Sequence, residues 1–312
     1  MPSHGITPQP QNENKMNLQL IEHIKSLPCW SGEVEPEPIA GGITNYNFRV
    51  DDAGARFFVR TGVDIPVHGV MRFNELAAAK AAEKVGLSPS MVYSEQGLMV
   101  CRFIDGHTFT EEDVRLADNL PRVLDLIKRC HNEMPRYFRG PALIFWVFHI
   151  IRNYISELED QRSTYVDLLP DLTAKAKLLE AAAGPTRIVF GHNDLLSANF
   201  IDDGTRIWLI DWDYAGYNSP VFDLANLASN NGLSPDQERW LLESYFEAAV
   251  SEPLMISFNA MKSASLLRET MWSMVSETHS TLDFDYAQYT ADYMARFEAA
   301  FNNDKESFIS HA

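Results

Sequence analysis

The apolar positions of this chain change period near residue 104. Before that point they fall in short β-favouring runs, Thr44–Val50 and Arg56–Arg60, joined by the turn formers Asp51-Asp52-Ala53-Gly54, which predicts a hairpin. Residues 71–85, rich in Ala, Leu, Glu and Lys, read as one helix stopped by Gly86 and Pro89. A second hairpin follows from Met91–Tyr93 and Leu98–Phe103 around Glu95-Gln96-Gly97. Beyond Asp105-Gly106 the spacing becomes helical: Thr110 offers a cap to Glu111, Glu112 and Asp113, and Leu124, Ile127 and Cys130 share one face. Residues 145–158, 236–249 and 258–277 also read as helices, with Phe145, Phe148 and Ile151 on one apolar side. The pattern predicts an α+β chain with a disordered tail over 1–15, a strand-rich region over 16–103 and a mainly α region over 104–312. No internal repeat is present.

One stretch of the second region breaks the helical pattern. From Ile188 to Tyr214, short apolar runs that read as strands enclose two polar loops, one carrying His192, Asp194 and Asn199, the other Asp211 and Asp213. The order His-x-Asp, four residues, Asn, then a downstream Asp followed by an aromatic residue is the arrangement in which phosphoryl-transfer enzymes hold a catalytic carboxylate beside metal ligands. Such chemistry depends on positioning and charge neutralisation. Asp194 is therefore the expected catalytic base or hydroxyl-orienting group, Asn199 and Asp211 the ligands of a Mg2+ bridging ATP phosphates, and Asp213 a further ligand or a supporting partner. Ordered spacing across two loops outweighs the plain alternative of turn-forming Asx residues.

The spelling His192-Asn193-Asp194, four residues, Asn199, then Ile-Asp211-Trp-Asp213-Tyr, then Asp223 in Phe-Asp-Leu-Ala-Asn resembles the choline/ethanolamine kinase branch of the aminoglycoside phosphotransferase-like kinases. The resemblance runs from about Gly41 to Trp272. It implies a two-lobed protein-kinase-like fold, with a small antiparallel β-sheet lobe bearing one main helix and a larger, mainly α lobe. It also implies structural roles for His192, as organiser of the catalytic loop, and for Asp223, as the carboxylate anchoring that loop from behind.

For ATP, the resemblance points to Gly41, Gly42, Thr44 and Asn45 as a phosphate-approaching turn, since glycines let backbone amides reach phosphate. Arg60 takes the place of the phosphate-gripping lysine of protein kinases, and its planar fork suits that task. Glu75 on the following helix is its expected partner, with Glu83 on the same helix as the competing acid. Adenine is expected against backbone groups of Arg102, Phe103 and Ile104.

For the phosphate acceptor, Trp272 matches one of two closely spaced tryptophans of the eukaryotic choline pocket, and Glu269 stands at the other. Three residues apart on a helix, they share a face and present a carboxylate and a ring to one cation; core packing is the competing role for a lone helical Trp. Tyr286 and Tyr289 are weaker candidates. Leu196 and Asn230 depart from the choline pattern, where a polar residue and a carboxylate are common. The acceptor is thus read as choline or a related amino alcohol such as ethanolamine. An aminoglycoside or other hydroxylated metabolite is the alternative, and a pseudokinase is disfavoured because Asp194, Asn199 and Asp211 are all present. A metallohydrolase using His192, Asp194, Asp211 and Asp213 would leave Gly41-Gly42, Arg60 and Glu75 without a role.

Composition narrows the partners. With 43 acidic against 26 basic residues, the net charge of −17 disfavours nucleic acid or an anionic membrane surface and suits a cationic substrate. Cys29, Cys101 and Cys130 have no metal-ligand or disulfide spacing and read as reduced thiols of a cytoplasmic protein. The apolar run 142–151 is far shorter than the roughly 20 residues that span a bilayer, so it reads as a buried helix. The sequence leaves a homodimer open.

Overall fold

The computed structural model of the chain describes residues 10–39, 45–280 and 284–311. These fall into two compact units, one drawn from 10–63 and 89–103, the other from 64–88, 104–280 and 284–311.

In the smaller unit, helix α1 (Pro10–Lys25) precedes strands β1 (Glu37–Ile39), β2 (Tyr46–Asp52), β3 (Ala55–Thr61), β4 (Met91–Glu95) and β5 (Leu98–Arg102), which form one antiparallel sheet in the order β1-β2-β3-β5-β4. The β2–β3 hairpin turns on Ala53 and Gly54, both at positive φ (47° and 77°), the turn handedness that matches strand twist. Alternate residues Phe48, Val50, Phe57, Val59, Leu98 and Val100 are buried with Ile24, Leu27 and Val34 in a small core. At the second hairpin, a side chain on Gly97 would come 2.6 Å from the Gly62 carbonyl oxygen, so only glycine fits. The expected tail needs correction over residues 10–15, which are helical; Pro10 opens α1 where its missing N–H costs nothing. Residues 1–9 of that tail lie outside the described residues, as do Gly41, Gly42 and Thr44.

The larger unit begins with α2 (Arg72–Lys84), the helix read from the sequence as part of the amino-terminal lobe. It groups instead with the larger unit, because Ala78, Ala81 and Ala82 enter that unit's core and Asn74 Nδ2 donates to the Ala215 carbonyl at 2.7 Å. There follow β6 (His107–Thr108), α3 (Glu111–Arg115), α4 (Leu120–Glu133), α5 (Val147–Asp160), α6 (Leu169–Ala183), β7 (Val189–Gly191), β8 (Phe200–Asp202), β9 (Ile207–Leu209), β10 (Gly216–Asn218), α7 (Pro220–Asn231), α8 (Pro235–Phe246), α9 (Glu252–His279) and α10 (Tyr286–His311). Thr110 caps α3 in a reciprocal box with Asp113. Helix α9 starts six residues before its expected first turn, because Ser251 accepts from the Leu254 N–H and Pro253 sits in the opening turn. It is buried on all sides against α5, α6, α7 and α10, so the one-sided pattern that marks a surface helix is absent. Cys29, Cys101 and Cys130 are not joined in disulfides. Among the described residues no helix is long and apolar enough to cross a membrane.

Candidate active site

Two loops are closed at their base by a single pair of strands. Strand β7 leads into His192-Asn193-Asp194, strand β10 follows Asp211-Trp212-Asp213-Tyr214, and the two pair antiparallel with Gly191 opposite Gly216. Between the loops, the β8–β9 hairpin returns the chain, and Ile210 N–H donates to the Asn199 carbonyl at 3.0 Å. Asp194 and Asp211 thus hang from one short ladder.

The loop backbone is pinned from behind. Asp223, 1% exposed near the start of α7, accepts from the His192 N–H (Oδ2, 2.8 Å) and the Asn193 N–H (Oδ1, 2.8 Å). His131 of α4 also donates to Asp223 Oδ2 at 2.9 Å, and its other ring nitrogen is 2.7 Å from the Tyr245 hydroxyl. Burial alone would raise the Asp223 pKa, but His131 and the loop N–H groups hold it below the ordinary value. A side chain on Gly191 would meet this carboxylate at 3.0 Å and Asn193 Oδ1 at 2.7 Å. Asn226 Oδ1 takes the Leu195 N–H at 2.6 Å, and Asn231 Nδ2 donates to the Leu195 carbonyl at 2.9 Å.

The two loops are also tied to each other. His192 donates from Nε2 to the Ile210 carbonyl at 2.9 Å, and its ring packs 4.7 Å from that of Trp212. Asn193 Nδ2 donates to the Tyr214 carbonyl at 2.9 Å. Asn193 and Asp211 both sit at φ 68°, a left-handed backbone that Asn and Asp tolerate best among side-chain-bearing residues. Such strain persists only where the surroundings enforce it, and here the ladder and the Asp223 anchor do so.

Around the reacting position, Asp194 is half-buried and its pKa is pushed up to about 8 by burial; Arg268 opposes the shift, while Glu269, Asp211 and Asp213 add to it. Asn199 spends its Nδ2 on the Asp194 carbonyl (2.8 Å), which leaves Oδ1 as its acceptor, an oxygen suited to a hard cation. Among the described residues no three His, Cys, Asp or Glu side chains form a ready metal cage. Asp213 is committed elsewhere: its Oδ1 accepts from Arg72 Nη1 at 2.8 Å, and the same Nη1 reaches Glu75 Oε2 at 2.6 Å. Glu75 is 3% exposed, which removes the reading of it as a surface helix residue.

In the smaller unit, Arg60 lies on β3 opposite Asn47 and Met99, with Asn45 just before β2. The N–H groups of Arg102 and Phe103 are taken by the carbonyls of Ser90 and Arg56, so those two donors are spent within the sheet, and the Arg102 guanidinium lies 4.6 Å from the Phe57 ring centroid. Ile104 belongs to the larger unit.

The candidate acceptor residues converge on α9 and α10. Glu269 accepts from Arg268 Nη1 (Oε2, 2.6 Å) and from the Tyr289 hydroxyl (Oε1, 2.8 Å). Arg268, 3% exposed, lies 4.2 Å from the Tyr214 ring centroid, and its pKa is raised although burial opposes this, because Glu269, Tyr214, Tyr154 and Asp194 surround it. Trp272 is 6% exposed and packs on His68, Tyr286 and Tyr289, with ring centroids 5.5, 6.1 and 6.1 Å away. His68 lies within hydrogen-bond reach of the Tyr154 hydroxyl at 3.0 Å and the Ser276 hydroxyl at 3.1 Å. Burial lowers its pKa to about 3, so its imidazole is neutral. Leu196 lies on the catalytic loop and Asn230 is buried on α7.

Sequence reasoning missed Arg72, His131, Asn226, Arg268 and His68. Two carried a local signal: Arg72 stands three residues before Glu75 on a helix, the spacing of an ion pair, and Arg268 adjoins a residue already under suspicion. The others meet the site only through the fold.

A carboxylate on a β-flanked loop, with Asn and Asp at metal-ligand positions behind it and a carboxylate anchoring its backbone, defines a phosphotransferase of the protein-kinase-like fold that acts on an alcohol group. The sequence model of the choline/ethanolamine kinase family matches residues 37–240, and the chain belongs to that family. It is 26% identical to protein LicA of Haemophilus influenzae over 272 residues, 84% of this chain and 77% of that one. It is 27% identical to human ethanolamine kinase 2, covering 91% of this chain and 80% of that one. Among solved structures, a choline/ethanolamine kinase family protein from Mesorhizobium loti superposes with a TM-score of 0.75 at 25% identity, covering 94% of this chain and 97% of its own. A spectinomycin phosphotransferase shares the fold more distantly, with a TM-score of 0.59 at 14% identity, over 88% of this chain and 93% of its own.

Proposed function

We propose that the protein transfers the γ-phosphate of ATP, with Mg2+, to the hydroxyl of choline or a related amino alcohol such as ethanolamine. The observation that carries this reading is the pairing of β7 with β10, which holds Asp194 and Asp211 on adjoining loops. Asp194 orients the acceptor hydroxyl and takes its proton as the oxygen attacks phosphorus, and burial tunes its carboxyl for that role. Asn199 Oδ1 and Asp211 hold the metal, which when bound neutralises phosphate charge in the transition state. Asp213, tied to Arg72, supports the metal loop from outside. His192 and Asp223 fix the loop geometry and take no proton from substrate.

Asn45 and Arg60 are the proposed ATP-phosphate residues of the smaller unit, and the same role is proposed for Gly41, Gly42 and Thr44, which lie outside the described residues. Glu75 is proposed as a further ATP-site residue, and Arg102, Phe103 and Ile104, at and just beyond the end of β5, as the adenine residues. Glu269, Trp272 and Tyr289 receive the acceptor's ammonium group. The protein works in the cytoplasm, and a homodimer is its proposed assembly.

A coupled ADP-release assay across choline, ethanolamine, sugars and kanamycin tests the reading. Turnover of the amino alcohols is expected; turnover confined to the aminoglycoside would overturn it.

A further inference from the structure

We infer that the preferred acceptor is an alcohol bearing a primary ammonium group, and that Glu269, clamped by Arg268 and Tyr289, selects it over its N-methylated counterparts. This rests on the amino-alcohol reading above and narrows it to one chemical class.

Glu269 stands where the resemblance places a tryptophan. Its carboxylate is 12% exposed, with Arg268 Nη1 on Oε2 at 2.6 Å and the Tyr289 hydroxyl on Oε1 at 2.8 Å. A carboxylate offers about four lone-pair positions, so each oxygen keeps one. Arg268 is held between this pair and the Tyr214 ring, 4.2 Å from its centroid, with Phe145 at 5.7 Å on the same guanidinium. The cation is a fixed partner, and the Arg268–Glu269 pair carries no net charge.

A trimethylammonium group has no N–H and is held by net negative charge and by open aromatic faces. The pair supplies neither. The neighbouring rings pack on one another: Trp272 lies 6.1 Å from both Tyr286 and Tyr289, Tyr289 stacks on Tyr293 at 4.5 Å, and Phe284, 39% exposed, packs at 4.9 and 5.6 Å on Tyr286 and Tyr289. Those separations are the spacing of rings in contact, so these ring faces are largely spent on one another. A primary ammonium can bind the carboxylate without an aromatic face. Its N–H groups donate into the free lone pairs of Glu269, and a charge-assisted hydrogen bond does not depend on the net charge of the pair. A site whose polar groups are built to receive an N–H also rejects the analogue that lacks it, by about 10²-fold or more.

The test is kcat/KM with Mg-ATP for ethanolamine, N-methylethanolamine, N,N-dimethylethanolamine and choline. A stepwise fall is expected, with choline about 10²-fold below ethanolamine. Glu269→Gln should flatten the series, and Tyr289→Phe, which keeps the carboxylate but frees one side of it, should flatten it in part. Choline used as well as ethanolamine would overturn this inference and leave the amino-alcohol kinase intact. Turnover of none of the four would overturn both. A folded Glu269→Gln enzyme that keeps the full ratio would overturn the role of Glu269; should that variant fail to fold, Tyr289→Phe with an unchanged ratio would do the same.

Discussion

The catalytic loop and the acceptor wall lie in the same compact unit and are built in opposite ways. Around the loop, hydrogen-bonding groups are committed within the protein: two backbone N–H groups and an imidazole converge on Asp223, and Asn193, Asn226 and Asn231 each bridge chain segments far apart in sequence. Along the proposed acceptor wall, Arg268 Nε and Nη2 and Trp272 Nε1 are buried without a hydrogen-bond partner, while Glu269 gathers two donors. His192 Nδ1 and Asn231 Oδ1 beside the loop are buried without a hydrogen-bond partner as well, so the two regions differ in how many bonds tie distant segments together and not in a cost that one of them escapes. The contrast separates the two proposed tasks: the loop that carries Asp194 is fixed by bonds between distant segments, whereas the proposed acceptor contact is one carboxylate that keeps a lone-pair position on each oxygen.

The largest expected effect breaks the loop's chemistry without touching its frame. Asp194→Ala should lower kcat by about 10⁴-fold, the upper range for loss of a general base, while Mg-ATP binding followed by calorimetry stays near normal. An unaffected rate would remove Asp194 from the mechanism. Next, Asp223→Ala should break the frame itself. Removing one member of a buried, hydrogen-bonded pair costs about 3–5 kcal/mol, so the melting temperature should drop well below that of Asp194→Ala. Equal melting temperatures for the two variants would contradict the anchoring role.

The smallest effect concerns the wall. His68 has a folded-state pKa of about 3 against an ordinary 6.5. Because the value is depressed, the unfolded chain takes up the proton first as pH falls. The stability gained by burying neutral imidazole is complete above pH 6.5 and is lost progressively towards pH 3. His68→Gln should therefore melt with less acid sensitivity than the parent over that window, by on the order of 2 kcal/mol at pH 5. Parallel melting curves would show that His68 is already protonated in the fold.

The same contrast decides what could be read from the sequence. The loop's proposed reacting groups, Asp194, Asn199 and Asp211, lie within eighteen residues because one β-hairpin carries them, and such short-range order survives as spacing. The helix of Glu75 and both hairpins of the smaller unit were legible for the same reason, since turn chemistry and period are local. What escaped is non-local. His131 reaches Asp223 across 92 positions, Arg72 reaches Asp213 across 141, and His68 reaches Ser276 across 208. The packing of helix α2 on the larger unit escaped, because its Ala-rich face names a buried surface but not the surface it packs on. Arg268 was overlooked beside Glu269 because a charged residue inside a helix reads as solvated, and only the all-round burial of α9 shows otherwise.

The most direct test follows the phosphorus itself. With Mg-ATP and ethanolamine, ³¹P NMR should show a phosphomonoester growing in step with ADP, dependent on magnesium and absent with Asp194→Ala. ADP accompanied only by inorganic phosphate, or an ester that still forms at the parent rate in Asp194→Ala, would contradict the account.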